Sequence, residues 1–162
     1  ARLAPRELRY LIPDSGMKLI VTTDAVDELP VWTLDRVDPE KMKLLALLLA
    51  DPNPLHFDPE AAPRLGIAER PVNQGPSNMA MLVNLLRAAY PTGRLSRLRV
   101  QLRGSVIAGQ AVRAGGRVTE RVADGDGELV RCEVWLRVAG APEGGTVLSG
   151  QAEVRCPAGT SR

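Results

Sequence analysis

The 162 residues contain a single histidine, His56, within the stretch ADPNPLHFDPE at residues 50–60. Asp51 precedes it by five positions, and Pro52 and Pro54 stiffen the chain between them. A carboxylate and an imidazole held at fixed separation form a general acid/base pair. Two readings are open from spacing alone: a rigid acid/base pair, or a polar loop that happens to hold a histidine. Other chemistry is harder to build here. Ser77 has no second histidine to activate it as a nucleophile. Cys132 and Cys156 have no CxxC partner and no neighbouring histidine, so neither a zinc site nor a disulfide framework is expected. The run DGDGE at 124–128 is too short for a calcium loop and lacks the remaining ligands.

The elements that must position these residues follow from patterning. Residues 1–16 are basic, hold two prolines and show no period, and read as an N-terminal arm. Residues 17–162 read as one domain, long enough to bury a core. MKLIVTTDAV (17–26) is β-rich and reads as a strand, whereas LPVWTLD (29–35) reads as either more sheet or a loop. Asp38, Pro39 and Glu40 form a helix start, and the apolar run from Met42 to Ala50 reads as a buried helix stopped by Pro52. Asp58, Pro59 and Glu60 repeat that start signal ahead of a short helix in PEAAPRLG. From Pro76 to Tyr90, Met79, Leu82, Val83, Leu86 and Tyr90 recur at helical spacing, and further apolar residues broaden the face, so this helix is expected to be covered on most sides. Beyond Pro91 and Gly93 four segments alternate apolar with polar, and DGDGE gives a hairpin signal between the second and third. The expected fold is α+β, a curved antiparallel sheet wrapped around one central apolar helix.

Composition narrows the function. Hydrophobic residues make up 44% and aromatics only 3%, so the core is expected to be aliphatic, and the scarcity of aromatics argues against a stacking platform for single-stranded nucleic acid. The net charge of +2 comes from dispersed arginines, which suit a basic rim for an anionic cofactor better than a nucleic-acid surface. No apolar run reaches membrane-spanning length and there is no signal-peptide pattern. With two small cysteines expected to be buried thiols, a reduced cytoplasmic setting is the expectation.

DPNPLHFD, followed by NQGP at 73–76, resembles the MaoC-like dehydratases, the (R)-specific enoyl-CoA hydratase family with the hot-dog fold. Asp51, Asn53, Pro54, Leu55, His56 and Asp58 stand in the places of that family's first signature, and the likeness runs from about residue 17 to residue 156. Two departures stand out. Ala50 replaces the glycine before the aspartate, so the turn is made without a permissive residue. Gln74 replaces a histidine that is commonly outside the catalytic pair, so activity is expected to survive with an altered acyl pocket.

The resemblance implies hydration of trans-2-enoyl thioesters, or dehydration of (R)-3-hydroxyacyl thioesters, in fatty acid metabolism. By that analogy Asp51 binds and activates the water, His56 partners it in proton transfer, and Asn53 shapes the turn. The thioester oxygen needs preorganised donors, and the start of the central helix supplies them. The backbone N–H of Gly75 is assigned to the oxyanion hole, since glycine lets a substrate approach closely and Pro76 brings no competing N–H. Asn73, Gln74 and Ser77 either line the pocket or cap the helix, as does Asn78. Coenzyme A or an acyl carrier protein would carry the acyl group. No metal, flavin or nicotinamide is implied. The family works as a dimer with a continuous sheet, either of two copies or with a different hot-dog chain. Three rival functions share these residues: a hot-dog thioesterase, an enzyme adding an amine to the enoyl group, and a non-catalytic acyl-binding subunit.

Overall fold

The structure, a computed structural model, describes residues 8–12, 17–21, 28–141 and 145–158. Its strands are β1 (Leu8–Ile12), β2 (Met17–Val21), β3 (Val31–Leu34), β4 (Arg94–Leu102), β5 (Val112–Asp124), β6 (Gly127–Val138) and β7 (Thr146–Cys156). They form one antiparallel seven-stranded sheet in the order β1-β2-β3-β5-β6-β7-β4, so β4 is an edge. The β5–β6 hairpin pairs Asp124 with Gly127, and Gly125 makes the turn at φ +61°. Positive φ at the first central residue is what a tight hairpin of this hand requires. LPVWTLD resolves in favour of sheet, through β3. The segment read as an arm contains β1, which pairs with β2; residues 1–7, 13–16 and 22–27 lie outside the described residues.

The central helix α3 (Gly75–Ala89) lies against the sheet. Leu82, Leu85 and Leu86 are buried against Val112 and Ala114 of β5, Val130, Val134 and Leu136 of β6, and Leu148, Ala152 and Val154 of β7. Each such leucine contributes roughly 1.5–3 kcal/mol by leaving water. The helix is cupped on one broad face rather than covered on most sides, because Met79, Ala80, Asn84 and Arg87 stay exposed. It also begins one residue earlier than its spacing suggests, at Gly75, which puts Pro76 second rather than first.

Helix α1 (Pro39–Leu48) starts as the sequence indicates. Asp38 caps it, its Oδ1 accepting the Glu40 N–H at 2.9 Å. The expectation that α1 is buried is corrected. Only Met42 and Ala46 face the core, and Leu44, Leu47 and Leu48 are 60%, 79% and 82% exposed. Helix α1 lies at the margin of the sheet, where one narrow face has something to pack on. A short 3-10 turn (Pro54–His56) and α2 (Ala61–Arg64) complete the segment leading back to α3. No described helix is long and apolar enough to cross a membrane.

Candidate active site

Asp51 reaches the site through the way α1 ends. The Ala50 N–H bonds the Leu47 carbonyl at 3.1 Å and the Asp51 N–H bonds the Ala46 carbonyl at 2.9 Å. This is a Schellman motif, whose closing residue adopts a left-handed conformation usually given to glycine. Here that residue is Ala50, at φ +50°, and it is the only described non-glycine residue with positive φ. A Cβ in this region costs about 1–2 kcal/mol. The turn that delivers Asp51 is thus made with alanine where the resemblance leads one to expect glycine.

The two oxygens of Asp51 face different ways. Oδ1 accepts the Asn53 N–H at 3.2 Å, and the Asn53 Oδ1 in turn accepts the Leu55 N–H at 3.1 Å. Oδ2 lies 3.3 Å from His56 Nε2. The other ring nitrogen, Nδ1, lies 2.6 Å from the Val72 carbonyl oxygen. A carbonyl accepts only, so Nδ1 carries the proton and Nε2 of the neutral ring is an acceptor facing a carboxylate. Two acceptors face each other stably only around a donor. Either Nε2 is protonated and donates to Oδ2, or a water donates one hydrogen to each. The His56 side chain is 13% exposed and the Asp51 side chain 33%, so the pair is shielded yet reachable.

Val72 ties this turn to α3. Its N–H bonds the Leu55 carbonyl at 2.8 Å, and the next residue, Asn73, donates its N–H to the Val106 carbonyl at 2.7 Å. Gly75 lies three residues past the carbonyl that holds His56, so no more than about 11 Å of chain separates them. It opens α3, and its N–H has no backbone partner among the described residues. A Cβ on Gly75 would meet Leu102 Cδ1 at 3.7 Å, an ordinary contact.

The remaining polar residues divide into two sets. Asn73, 4% exposed, donates through Nδ2 to Asn78 Oδ1 at 2.7 Å and to Ser77 Oγ at 3.2 Å. Gln74 is fully buried; its Nε2 donates to the Met42 carbonyl at 2.9 Å, and its Oε1 has no partner among the described residues. Gln74 therefore fastens the start of α3 to α1. Asp58 closes the turn before α2, with its Oδ1 accepting the Glu60 N–H at 2.9 Å. Pro76 is exposed.

Two clefts flank α1. One, of about 520 Å³, is lined by Met42, Leu45, Leu48 and Met81 with Asn73 and Ser77. The other, of about 500 Å³, opens at Asp51, Pro52 and Phe57. The fold brings Asp51, His56 and Val72 together, and separately Asn73, Ser77 and Asn78, and neither cleft is lined by His56 or Gly75. Sequence reasoning missed the Val72 and Met42 carbonyls, since main-chain acceptors leave no mark on residue type. It also missed Leu102, whose place beside Gly75 depends on sheet register. Among the described residues no group of three or more His, Cys, Asp or Glu could hold a metal ion.

An antiparallel sheet cupping one apolar helix, with the site on the segment between β3 and that helix, is the hot-dog fold. Solved structures share it. The ChsH1–ChsH2 complex from Mycobacterium tuberculosis superimposes at TM-score 0.68 and 20% identity, over 83% of this chain and 99% of that one. The (R)-hydratase from A. caviae involved in PHA biosynthesis gives 0.68 and 23%, over 83% and 100%. The C-terminally truncated HadBC (3R-hydroxyacyl-ACP dehydratase) complex from Mycobacterium tuberculosis gives 0.61 and 15%, over 82% and 98%. At these identities the likeness is one of fold. No curated protein matches the chain. The MaoC like domain family matches residues 21–137, and the chain belongs to that hydratase and dehydratase family.

Proposed function

We propose that the protein adds water to trans-2-enoyl thioesters and removes it from (R)-3-hydroxyacyl thioesters. The observation that carries this reading is the facing of His56 Nε2 and Asp51 Oδ2 at 3.3 Å, with Nδ1 committed to Val72. A water donating its two hydrogens to these acceptors keeps its lone pairs for Cβ of the substrate. As the Cβ–O bond forms, the water passes a proton to the Asp51–His56 pair. The electrons of the double bond move onto the thioester oxygen, for which the Gly75 N–H at the start of α3 is the proposed donor. The pair then returns a proton to Cα, and the sum is addition of one water. Dehydration is the same path reversed. A positioned acid/base pair is worth about 10²–10⁴-fold.

The protein is read as cytoplasmic and dimeric, with a second copy or another hot-dog chain. Two of the structural relatives are described as complexes, which supports an assembly of this kind. The test is loss of the enoyl-thioester absorbance with crotonyl-CoA and a longer enoyl-CoA, read beside a thiol reagent. Alkene loss without thiol release is the expected result. Release of free thiol overturns hydration in favour of hydrolysis, and no change with any acyl length overturns catalysis.

A further inference from the structure

Gln74 stands between the two halves of the candidate site, and neither the acid/base pair nor the oxyanion donor uses its side chain. It is the most deeply buried polar side chain among the described residues, at 0% exposure. Its Nε2 donates to the Met42 carbonyl, 32 residues away in the chain. A carbonyl accepts only, so the amide nitrogen faces Met42 and Oε1 is the atom turned away. Oε1 is buried and finds no donor among the described residues.

This arrangement adds little to stability. Met42 lies inside α1, where the helical ladder already offers its carbonyl the Ala46 N–H. The bond from Gln74 is a second bond to a satisfied acceptor. A buried oxygen without a donor costs at least as much as one hydrogen bond contributes on balance. An apolar side chain of the same length would fill the space without that cost. The value of the bond therefore lies in what it fixes.

It fixes α1. Only Met42 and Ala46 of that helix are buried, and they lie one turn apart on one face. Packing on so narrow a strip leaves a helix free to slide and roll. Among the described residues no other hydrogen bond joins α1 to α3. Beyond Met42 the connection runs on to the site. The Ala46 carbonyl accepts the Asp51 N–H at 2.9 Å, and Asp51 opens the turn that carries His56. On its other side Gln74 directly precedes Gly75, and it follows by two residues Val72, whose carbonyl holds His56 Nδ1. The segment from α1 to His56 is thus tied to the start of α3 at two separate points, Val72 and Met42. A body held at one point pivots about it, and a second tie removes the pivot.

We propose that Gln74 is a positioning residue, whose bond to the Met42 carbonyl sets the Asp51–His56 pair in place relative to the Gly75 N–H. This rests on the hydratase reading and adds a residue to it. The experiment compares wild type with Gln74→Met, which keeps the length and removes the donor, and with Gln74→His, which returns a ring N–H. Each is followed by crotonyl-CoA hydration and by thermal melts. Gln74→Met should melt no lower than wild type, because the unpartnered oxygen is gone. Its kcat should nevertheless fall about tenfold or more, since an ångström of misplacement can cost about a hundredfold, while KM stays near the wild-type value. Gln74→His should recover most of the loss. In an Asp51→Asn background Gln74→Met should cost little, because the group it positions is already disabled. Wild-type kcat in Gln74→Met overturns the proposal. So does a loss that persists undiminished in Asp51→Asn, that Gln74→His does not recover, or that a lower melting temperature accounts for. If the wild type hydrates no enoyl thioester, the hydratase reading falls by itself. The ring nitrogen NMR signals of His56, the chain's only histidine, then decide the tether. A shift in folded Gln74→Met upholds it, and unaltered signals overturn it.

Discussion

His56 gives its Nδ1 to the Val72 carbonyl at 2.6 Å and thereby presents Nε2 to Asp51 Oδ2 at 3.3 Å. The tautomer is set by main chain, and the reactive nitrogen is the one aimed at the carboxylate. Asp51→Asn keeps an oxygen for the Asn53 N–H but loses the charge facing His56. We expect Asp51→Asn and His56→Ala each to lose about a hundredfold or more in kcat. Thermal melts should shift only slightly, because neither side chain is part of the core. A folded variant of either kind with wild-type turnover would falsify the acid/base assignment.

Ala50 adopts φ +50° in the turn that delivers Asp51. Ala50→Gly removes the Cβ penalty, partly offset by the greater freedom of glycine in the unfolded chain. The expected net gain is about 0.5–1 kcal/mol, a rise of a few degrees in melting temperature. Denaturant unfolding checks it, and a drop in stability would show that the turn relaxes in solution.

Gly75→Ala separates fold from chemistry. The added methyl meets Leu102 only at ordinary contact distance, and Gly75 lies at the start of a right-handed helix. Stability should stay within about 0.5 kcal/mol, the range of uncritical substitutions. Turnover should fall because the methyl stands where the thioester must approach, by up to about a hundredfold if the oxyanion contact is lost. Unchanged turnover would move the oxyanion donor elsewhere.

Burial pushes the Cys132 thiol up to about 11, and burial likewise raises the Tyr90 phenol well above its usual range. The native state then keeps protons that the unfolded chain releases, so stability is flat below about pH 9 and falls from there toward pH 11. The fall is at most about 1.4 kcal/mol per pH unit for each group. Chemical denaturation at pH 8, 9.5 and 10.5 tests this, and Cys132→Ser should flatten the slope. Thiol reagents at pH 8 should label Cys132 only as fast as the protein unfolds.

Much of this architecture is legible in residue order. Asp38, Pro39 and Glu40 mark the start of α1, DGDGE marks the β5–β6 hairpin, and the apolar spacing after Pro76 marks α3. Burial was harder to read. The Met42–Ala50 run is apolar nearly all round, yet Leu47 and Leu48 face outward, because hydropathy reports what a face is and not what lies against it. At the site, Asp51 and His56 stand out by type and spacing. Val72 does not, because its contribution is a carbonyl that any residue would supply once β-bridge pairing with Ile107 fixes its place.

The Schellman ending makes α1 a ruler. Each residue added to a helix turns everything beyond it by about 100° and moves it 1.5 Å. An insertion or deletion between Pro39 and Leu48 therefore swings the turn from Asp51 to His56 out of phase with the Val72 main chain that anchors it, even when every side chain that touches the core is kept. The outward leucines can drift toward polar residues without that consequence. Across a lineage, the length of α1 should stay constant while the composition of its outer face wanders.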